Sequence, residues 1–457
     1  MALQFILGPS GAGKSEYIYE DIIRRTMQDE RENVIVLVPE QYSLEIQRKL
    51  VQKHPRGGSF QIDVIGFNRL AYRIFDELHI KPKKVLEDFG KSMLLRKAAQ
   101  EHKEELSLYA GSLDKAGFID EAKSLMSEIY QYDIPRERLR EALQKLDDSE
   151  EARVLARKLQ DMLVIFDAFE EKKGQSFIVA EQMLELLTAA AEQSELIAGS
   201  EIVLDGFTGF TPIQLNLISV LLRRAKKVTI VLTIDAATYE KKHVAEHELF
   251  ALTKQTIEHL LLTAEQAHVV VKTALLLGKD GCKRWSKGHP LAHLEQNLFR
   301  YPYRVGKDEE QAITITAYDT PAQELTGVAE QIRTLVMEQG YRYRDIAIVS
   351  GNLEETAEFA KRILPQYEIP YFIDMTMPVK NHPCVDALMH VLRIVDENFS
   401  YDSVFAFLKS GVVKSLEQSE IEMLENYVLA RGRKGIRSWS QPFLNGEDDT
   451  VDEPTRQ

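Results

Sequence analysis

Cysteine is scarce in this 457-residue chain: Cys282 and Cys384 are the only two. Two thiols cannot build a disulfide framework, a four-cysteine zinc site or a four-cysteine iron–sulfur site, so a reducing compartment and no iron–sulfur cluster are expected. Long apolar runs are lacking too. No stretch approaches the ~18 residues of a bilayer-spanning helix, and the N-terminus opens on a short strand-like segment with neither a basic leader nor a cleavage signal. The expectation is a cytoplasmic protein with no membrane partner. Positive charge is in deficit, with 57 Lys and Arg against 71 Asp and Glu and a net charge of −14. That argues against a surface coated all round with nucleic acid, but leaves room for a local basic groove, because binding follows the local field. Repeats and low-complexity tracts are absent.

What is present is an alternation of strand-like and helix-like segments, long enough for two to four domains. Short β-branched runs at residues 3–7, 34–38, 62–65, 202–204, 228–234, 313–318 and 346–349 are continuous rather than alternating, as in a parallel sheet covered on both faces. Three of these strands fall within the first 65 residues and the next two after residue 200. The interval carries apolar residues at helical spacing, over 88–100, 113–130, 135–146, 152–172 and 180–192, and predicts an all-α insertion; Pro135 suits the first turn of a helix. The expected fold class is α/β. Residues 1–84 and 200–305 form a nucleotide-binding domain, 85–199 the helical insertion, 306–395 an incomplete second α/β domain, and 396–457 a helical segment with an acidic tail. The second unit, with helices over 323–339 and 354–364, has too few strands to close a sheet. A longer parent protein is therefore expected.

Residues 8–15 read Gly8, Pro9, Ser10, Gly11, Ala12, Gly13, Lys14, Ser15, the G-x-x-x-x-G-K-S pattern, between a predicted strand and a predicted helix. Its glycines let the backbone turn N–H groups toward phosphate oxygens. Lys14 would reach the β and γ phosphates of ATP and Ser15 would ligate Mg²⁺. The bland alternative is an ordinary glycine-rich turn. A working NTPase also needs an Asp at the end of another core strand, usually followed by an acidic residue. Asp205 is the candidate metal ligand, or else merely fixes the turn before a helix with Thr211 as N-cap and Pro212 at its first position. Gly206 follows it. Nucleotide binding is thus better supported than hydrolysis.

Other candidates compete with plainer roles. His289, His293 and Glu295 are close in sequence, but a metal site needs matched geometry that Pro290 disturbs; loop and helix-start roles are the alternative. Basic clusters occur at Lys81, Lys83 and Lys84, at Arg223, Arg224, Lys226 and Lys227, and at Arg431, Arg433, Lys434 and Arg437. Solvated charge is the usual meaning of such runs. The last cluster, with Trp439 beside it, is a candidate for phosphate contact and base stacking. Phe67, Asn68 and Arg69 follow a core strand and are either DNA contacts or, for Phe67, core.

Residues 7–15, 37–41 (Leu-Val-Pro-Glu-Gln) and 64–71 (Val-Ile-Gly-Phe-Asn-Arg-Leu-Ala) resemble the N-terminal part of the AddB family. Most specific is Leu204-Asp205-Gly206-Phe207-Thr208-Gly209-Phe210-Thr211-Pro212; residues 289–295 and 341–349 are similar as well. AddB proteins are the B subunits of bacterial AddAB helicase–nucleases, which process double-strand breaks for recombination. The resemblance implies a superfamily 1 helicase-like, RecA-like P-loop fold, DNA contact at Phe67, Asn68 and Arg69, and an AddA-like partner that supplies the working motor. It implies a decayed motor here. Active relatives of that superfamily carry Asp-Glu where this chain has Asp205-Gly206 and an arginine where it has Ser350-Gly351, and their glutamine motif is not recognisable after Ile234. The family's nuclease domain, with its iron–sulfur cluster, lies further along and is not expected here. A free-standing P-loop nucleotide kinase or small-molecule NTPase is the competing reading.

Overall fold

A computed structural model describes residues 1–441 apart from 30, 82, 114, 147–148, 175, 279–280, 287, 308, 310, 376–378 and 380–381. The acidic tail expected at the C-terminus lies outside the described residues. The chain divides into two compact units, Met1–Thr314 and Ile315–Gln457.

The first unit is built on strands β1 (Ala2–Gly8), β2 (Asn33–Leu37), β3 (Ile62–Ile65), β4 (Lys84–Leu86), β5 (Phe177–Val179), β6 (Ser200–Leu204), β7 (Lys227–Thr233), β8 (Val270–Val271) and β9 (Leu275–Leu276). Its main sheet runs β3-β2-β6-β7-β1-β8, with β9 also against β1. All pairings are parallel, with Val36 opposite Val203, Ile202 opposite Val228 and Phe5 opposite Ile230. The continuous apolar runs have the reason anticipated. Phe5, Leu7, Ile35, Leu37, Ile202 and Leu204 face one side, packing on helices Phe67–Glu77, Gln182–Ala191 and Pro212–Arg224. Ile6, Val34, Val36 and Val203 face the other, under Ile18 and Ile22 of helix Lys14–Gln28 and Ile46 and Leu50 of helix Ser43–Lys53. With both faces covered, neither set of alternating side chains can be polar. One exception is Glu201 on β6, buried but paired with Arg25 at 2.6 Å and Lys227 at 3.1 Å.

The insertion has its own core around Leu95, Met126, Ile165, Phe166 and Phe169. It is not purely helical: β4 and β5 form a short parallel pair, and the helix Gln182–Ala191 that follows β5, expected in the insertion, packs on the main sheet instead. Three-residue strands carry too little sequence signal to be read, and these find each other only through tertiary contact. Asp161, buried on helix Glu150–Lys173, accepts the backbone N–H groups of Ser107, Leu108 and Tyr109 at 2.7–2.9 Å and so holds the turn after the insertion's first helix, Asp88–Glu101. Pro135 stands one residue earlier than a first-turn proline, as the N-cap of helix Arg136–Gln144.

In the second unit, helices Pro321–Gln339 and Leu353–Ile363 pack through Leu325, Ala329, Ile332, Ala360 and Ile363. A separate cluster joins Phe405, Ile421, Leu424 and Val428. The strands expected at 313–318 and 346–349 are not formed: among the described residues neither segment joins a sheet. Ile315 and Val349 are almost fully exposed, at 94% and 93%. A β-branched run becomes a strand only where another strand takes its N–H and C=O groups, and here the neighbours within the unit are helices.

Candidate nucleotide site

The loop between β1 and helix Lys14–Gln28 sits at the C-terminal edge of the parallel sheet, the usual ligand edge of open α/β sheets. Gly11 and Gly13 have φ of +74° and +83°, the left-handed region that a side chain resists. Gly8 has no room for a side chain, since a Cβ there would lie 2.7 Å from the Leu277 carbonyl oxygen. Lys14 folds back over the loop and its Nζ donates to the Gly8 and Pro9 carbonyls, both at 2.9 Å. Burial lowers the Lys14 pKa, against the opposing pull of Asp205 and Glu295.

Asp205 closes β6 and is buried, with β7 lying between β6 and the phosphate-loop strand. Its plainer role and its chemical role each have a geometric basis. Oδ1 accepts the Gly206 N–H at 2.9 Å, fixing the turn, while Oδ2 accepts the Tyr19 hydroxyl at 2.6 Å. Burial and the Asp205 charge push the Tyr19 phenol far above its ordinary pKa. Tyr19, one turn beyond Ser15, thus ties the helix that carries Ser15 to Asp205. Among the described residues no group of three or more His, Cys, Asp or Glu forms a metal cluster. Mg²⁺ on a nucleotide commonly uses only one or two protein ligands, the rest being phosphate and water, so Ser15 and Asp205 fit such an ion. Gly206 has φ +82°, a conformation that disfavours the glutamate of active motors. The Thr211 and Pro212 helix start forms as expected, with a Thr211–Gln214 capping box.

Other candidates are placed as follows. Phe67 is half-buried in an aromatic row with Phe207 and Phe210, centroids 5.5 and 5.3 Å apart, and packs on the core; Asn68 and Arg69 are exposed on the first turn of their helix. Glu40 accepts the Asn68 N–H at 3.1 Å and fixes that turn. His289 caps helix Pro290–Asn297, and His293 Nε2 meets the Arg304 carbonyl at 3.0 Å, so the pair serves loop and helix start. In the second unit, Arg431 and Lys434 are exposed, whereas Arg433 donates to the Ser438 and Gln441 carbonyls at 2.7 and 3.2 Å. Trp439 is not a stacking platform: its ring packs on Phe405 and its Nε1 donates to the Phe399 carbonyl at 3.2 Å. Phosphate loop, Asp205 and Phe67 to Arg69 all belong to the first unit, and the Arg431 cluster belongs to the second.

Sequence reasoning missed the contacts that reach the loop from a distance. Residues 281–285 lie on its outer side, where the Arg284 N–H donates to the Gly11 carbonyl at 3.2 Å and Cys282 Sγ stands 3.5 Å from the Ser10 carbonyl oxygen. Glu295, considered only as a metal ligand, lines a cavity beside the loop with Pro9, and burial raises its carboxyl pKa.

A parallel sheet in this order, helices on both faces and a helical insertion define a RecA-like α/β protein. The model of the AddB N-terminal family matches residues 5–295. Similar curated proteins each carry the name of the B subunit of an ATP-dependent helicase/deoxyribonuclease. That of Lachnoclostridium phytofermentans is 38% identical over 95% of this chain and 38% of its own length. Those of Clostridium novyi and Alkaliphilus metalliredigens are 31% and 33% identical over 99% and 98% of this chain, and 39% and 38% of their own. The chain belongs to the AddB family, and it spans about two-fifths of the length of these relatives.

Proposed function

We propose that this chain is the helicase-like N-terminal part of the B subunit of a heterodimeric ATP-dependent helicase/exonuclease acting in double-strand break repair by recombination. In this reading it binds ATP and DNA in the cytoplasm beside an AddA-like motor subunit, and its own motor is inactive. Residues 1–84 with 200–305 are the nucleotide domain, 85–199 the insertion, and 306–395 the beginning of a second RecA-like domain. The observation that carries the reading is the folded phosphate loop, with Lys14 laid over the Gly8 and Pro9 carbonyls and the helix that Lys14 and Ser15 begin tied to Asp205 by the Tyr19 hydroxyl at 2.6 Å. Gly8 to Ser15 would hold the triphosphate, with Mg²⁺ on Ser15 and Asp205; that ion would neutralise phosphate charge. Asn68 and Arg69 are the exposed DNA candidates in the first unit, Arg431 and Lys434 those in the second, while Phe67 and Arg433 contribute through packing and turn geometry. Similarity to helicase/deoxyribonuclease B subunits over nearly all of this chain supports this reading over a free-standing kinase.

Inactivity follows from what stands beside Asp205 and after residue 349. Gly206 offers no carboxylate to position water, and Ser350-Gly351 offer no arginine. Each such loss costs on the order of a thousandfold in rate. Calorimetry with ATP and Mg²⁺ should show binding by the parent and none by Lys14→Ala. Phosphate release should stay near background with DNA present. Turnover at ~1 per second or faster would refute the inactive motor, and absence of binding would remove the nucleotide site.

A further inference from the structure

The segment that crosses the outside of the phosphate loop brings a second lysine to it. Strand β9 ends at Leu276, and the Leu277 N–H donates to the Leu7 carbonyl at 2.8 Å, so the chain leaves the sheet alongside the strand that feeds the loop. Gly278 lies against the loop itself: a Cβ there would stand 2.9 Å from the Ala12 side chain and 3.1 Å from that of Pro9. Further on, Cys282 Sγ stands 3.5 Å from the Ser10 carbonyl oxygen, and the Arg284 N–H donates to the Gly11 carbonyl at 3.2 Å. Lys283 lies between these two anchors. Its stem crosses Gly13, where a Cβ would stand 3.1 Å from Lys283 Cδ and 4.0 Å from its Cε. Gly13 is the N-cap of helix Lys14–Gln28, the end of the loop whose N–H groups and helix dipole favour a phosphate. The cations around the loop differ in commitment. Lys14 Nζ is held by the Gly8 and Pro9 carbonyls, both at 2.9 Å, and the Arg284 guanidinium stacks over the Trp285 ring, 5.8 Å from its centroid. Lys283 is exposed, and among the described residues its ammonium has no hydrogen bond or ion pair.

Resting on the reading of this loop as a nucleotide site, we propose that Lys283 is a further phosphate-binding residue of that site, a second cation delivered to the loop by a segment from the far end of the first unit. Reach and charge both favour this role. A stem that lies on Gly13 leaves the ammonium one bond beyond Cε, near the helix N-terminus, and a lysine's flexible stem lets it turn onto a phosphate oxygen there while the backbone stays anchored through Cys282 and Arg284. To meet a phosphate Lys14 gives up two carbonyls, whereas Lys283 breaks no hydrogen bond. A triphosphate carries more negative charge than a diphosphate, so the second cation strengthens ATP binding more than ADP binding. A lysine that is merely solvated would be indifferent to nucleotide.

The test is calorimetric titration of ATP and ADP, each with Mg²⁺, on the full chain and on its Lys283→Met and Lys283→Arg variants. Methionine keeps an unbranched stem on Gly13 and removes the charge; arginine keeps the charge. ATP affinity should fall roughly tenfold in Lys283→Met and ADP affinity by less, and ATP binding by that variant should depend less steeply on salt than binding by the parent. Lys283→Arg should retain most of the parent's affinity. Unchanged ATP affinity in Lys283→Met overturns the proposal while leaving the nucleotide site in place. An equal loss in both variants also overturns it, because the residue then acts through packing on Gly13 and not through its charge. Failure of the parent to bind either nucleotide overturns the nucleotide reading and this inference with it.

Discussion

Residues 34–38, Val-Ile-Val-Leu-Val, and residues 346–349, Ile-Ala-Ile-Val, are almost interchangeable as text, and the protein treats them oppositely. The first lies inside a parallel sheet, paired on one side with β3 and on the other with β6, with Val36 and Leu37 fully buried. The second joins no sheet and its Ile346 packs beside helices, with Val349 93% exposed. Both are rich in β-branched residues, although Ala347 weakens the second. What differs is whether the unit supplies a second strand to each edge. Strand formation is thus a property of the neighbours, and a run of β-branched residues states only that the segment is competent to pair.

The largest effect that would sharpen this contrast is in amide hydrogen exchange. Amides of Ile202 to Leu204 and Ile230 to Leu232 should exchange only through global opening of the first unit. Those of residues 315–317 and 347–349 should exchange at close to the unprotected rate. The two sets should differ by roughly a thousandfold or more. Equal protection in both would mean that the extended segments of the second unit find strand partners in solution, and the contrast would collapse.

Charge pairs offer a second comparison between the units. Glu201 is buried in β6, with Arg25, Lys227 and the Thr229 hydroxyl on its two oxygens. Glu201→Ala removes the acceptor and leaves the Lys227 and Thr229 partners unmatched near the sheet, at a cost of about 3 kcal/mol. In the second unit, Asp345 meets Arg342 through two contacts of 2.7 and 3.0 Å, but both side chains are exposed. Asp345→Ala should not move the melting transition, because exposed pairs gain little over their hydration. Urea unfolding of the two variants, followed separately in each unit, checks the pair. A stabilised Glu201→Ala protein would show that the buried network is an electrostatic burden.

The sequence made the phosphate loop, strands β1, β2, β3, β6 and β7 and the Thr211 helix start legible, because each is encoded in consecutive residues, whereas the two-residue strands β8 and β9 of the same sheet carry too little signal. Positive φ at Gly11 and Gly13 follows from glycine itself, and the capping box from Thr211, Pro212 and Gln214. What stayed hidden depends on residues that meet only after folding. Nothing local marks Tyr19, yet its hydroxyl donates to Asp205 at 2.6 Å. Trp439 beside a basic cluster looked like a stacking platform, and the core of its unit claims it instead. Glu295 carries no local mark that would place it beside a loop encoded near the other end of the first unit. The absence of ladders at 313–318 and 346–349 was hidden for the same reason, since no local signal reports a missing neighbour.

The smallest expected effect concerns acid, and separates the insertion from the rest of the first unit. Burial pushes the Asp161 carboxyl up, but the N–H groups of Ser107, Tyr109 and Leu108 overcome it, so its pKa lies below the ordinary aspartate value. A carboxyl depressed in the folded state binds its proton more weakly there than in the unfolded chain. Its contribution to stability is therefore complete above the unfolded pKa of about 4 and is lost as pH falls through the lower folded value. Asp161→Asn keeps an oxygen for one or two of the three donors but removes the charge, which should cost about 1–2 kcal/mol at neutral pH. As pH falls below about 4 the parent should lose stability in its insertion, whereas the variant should lose less over the same window, so that the two curves converge in acid. Chemical unfolding monitored within residues 88–173 across this range measures the convergence. Parallel curves, with a constant gap at every pH, would mean that Asp161 holds the 107–109 turn by shape alone and that its charge contributes nothing.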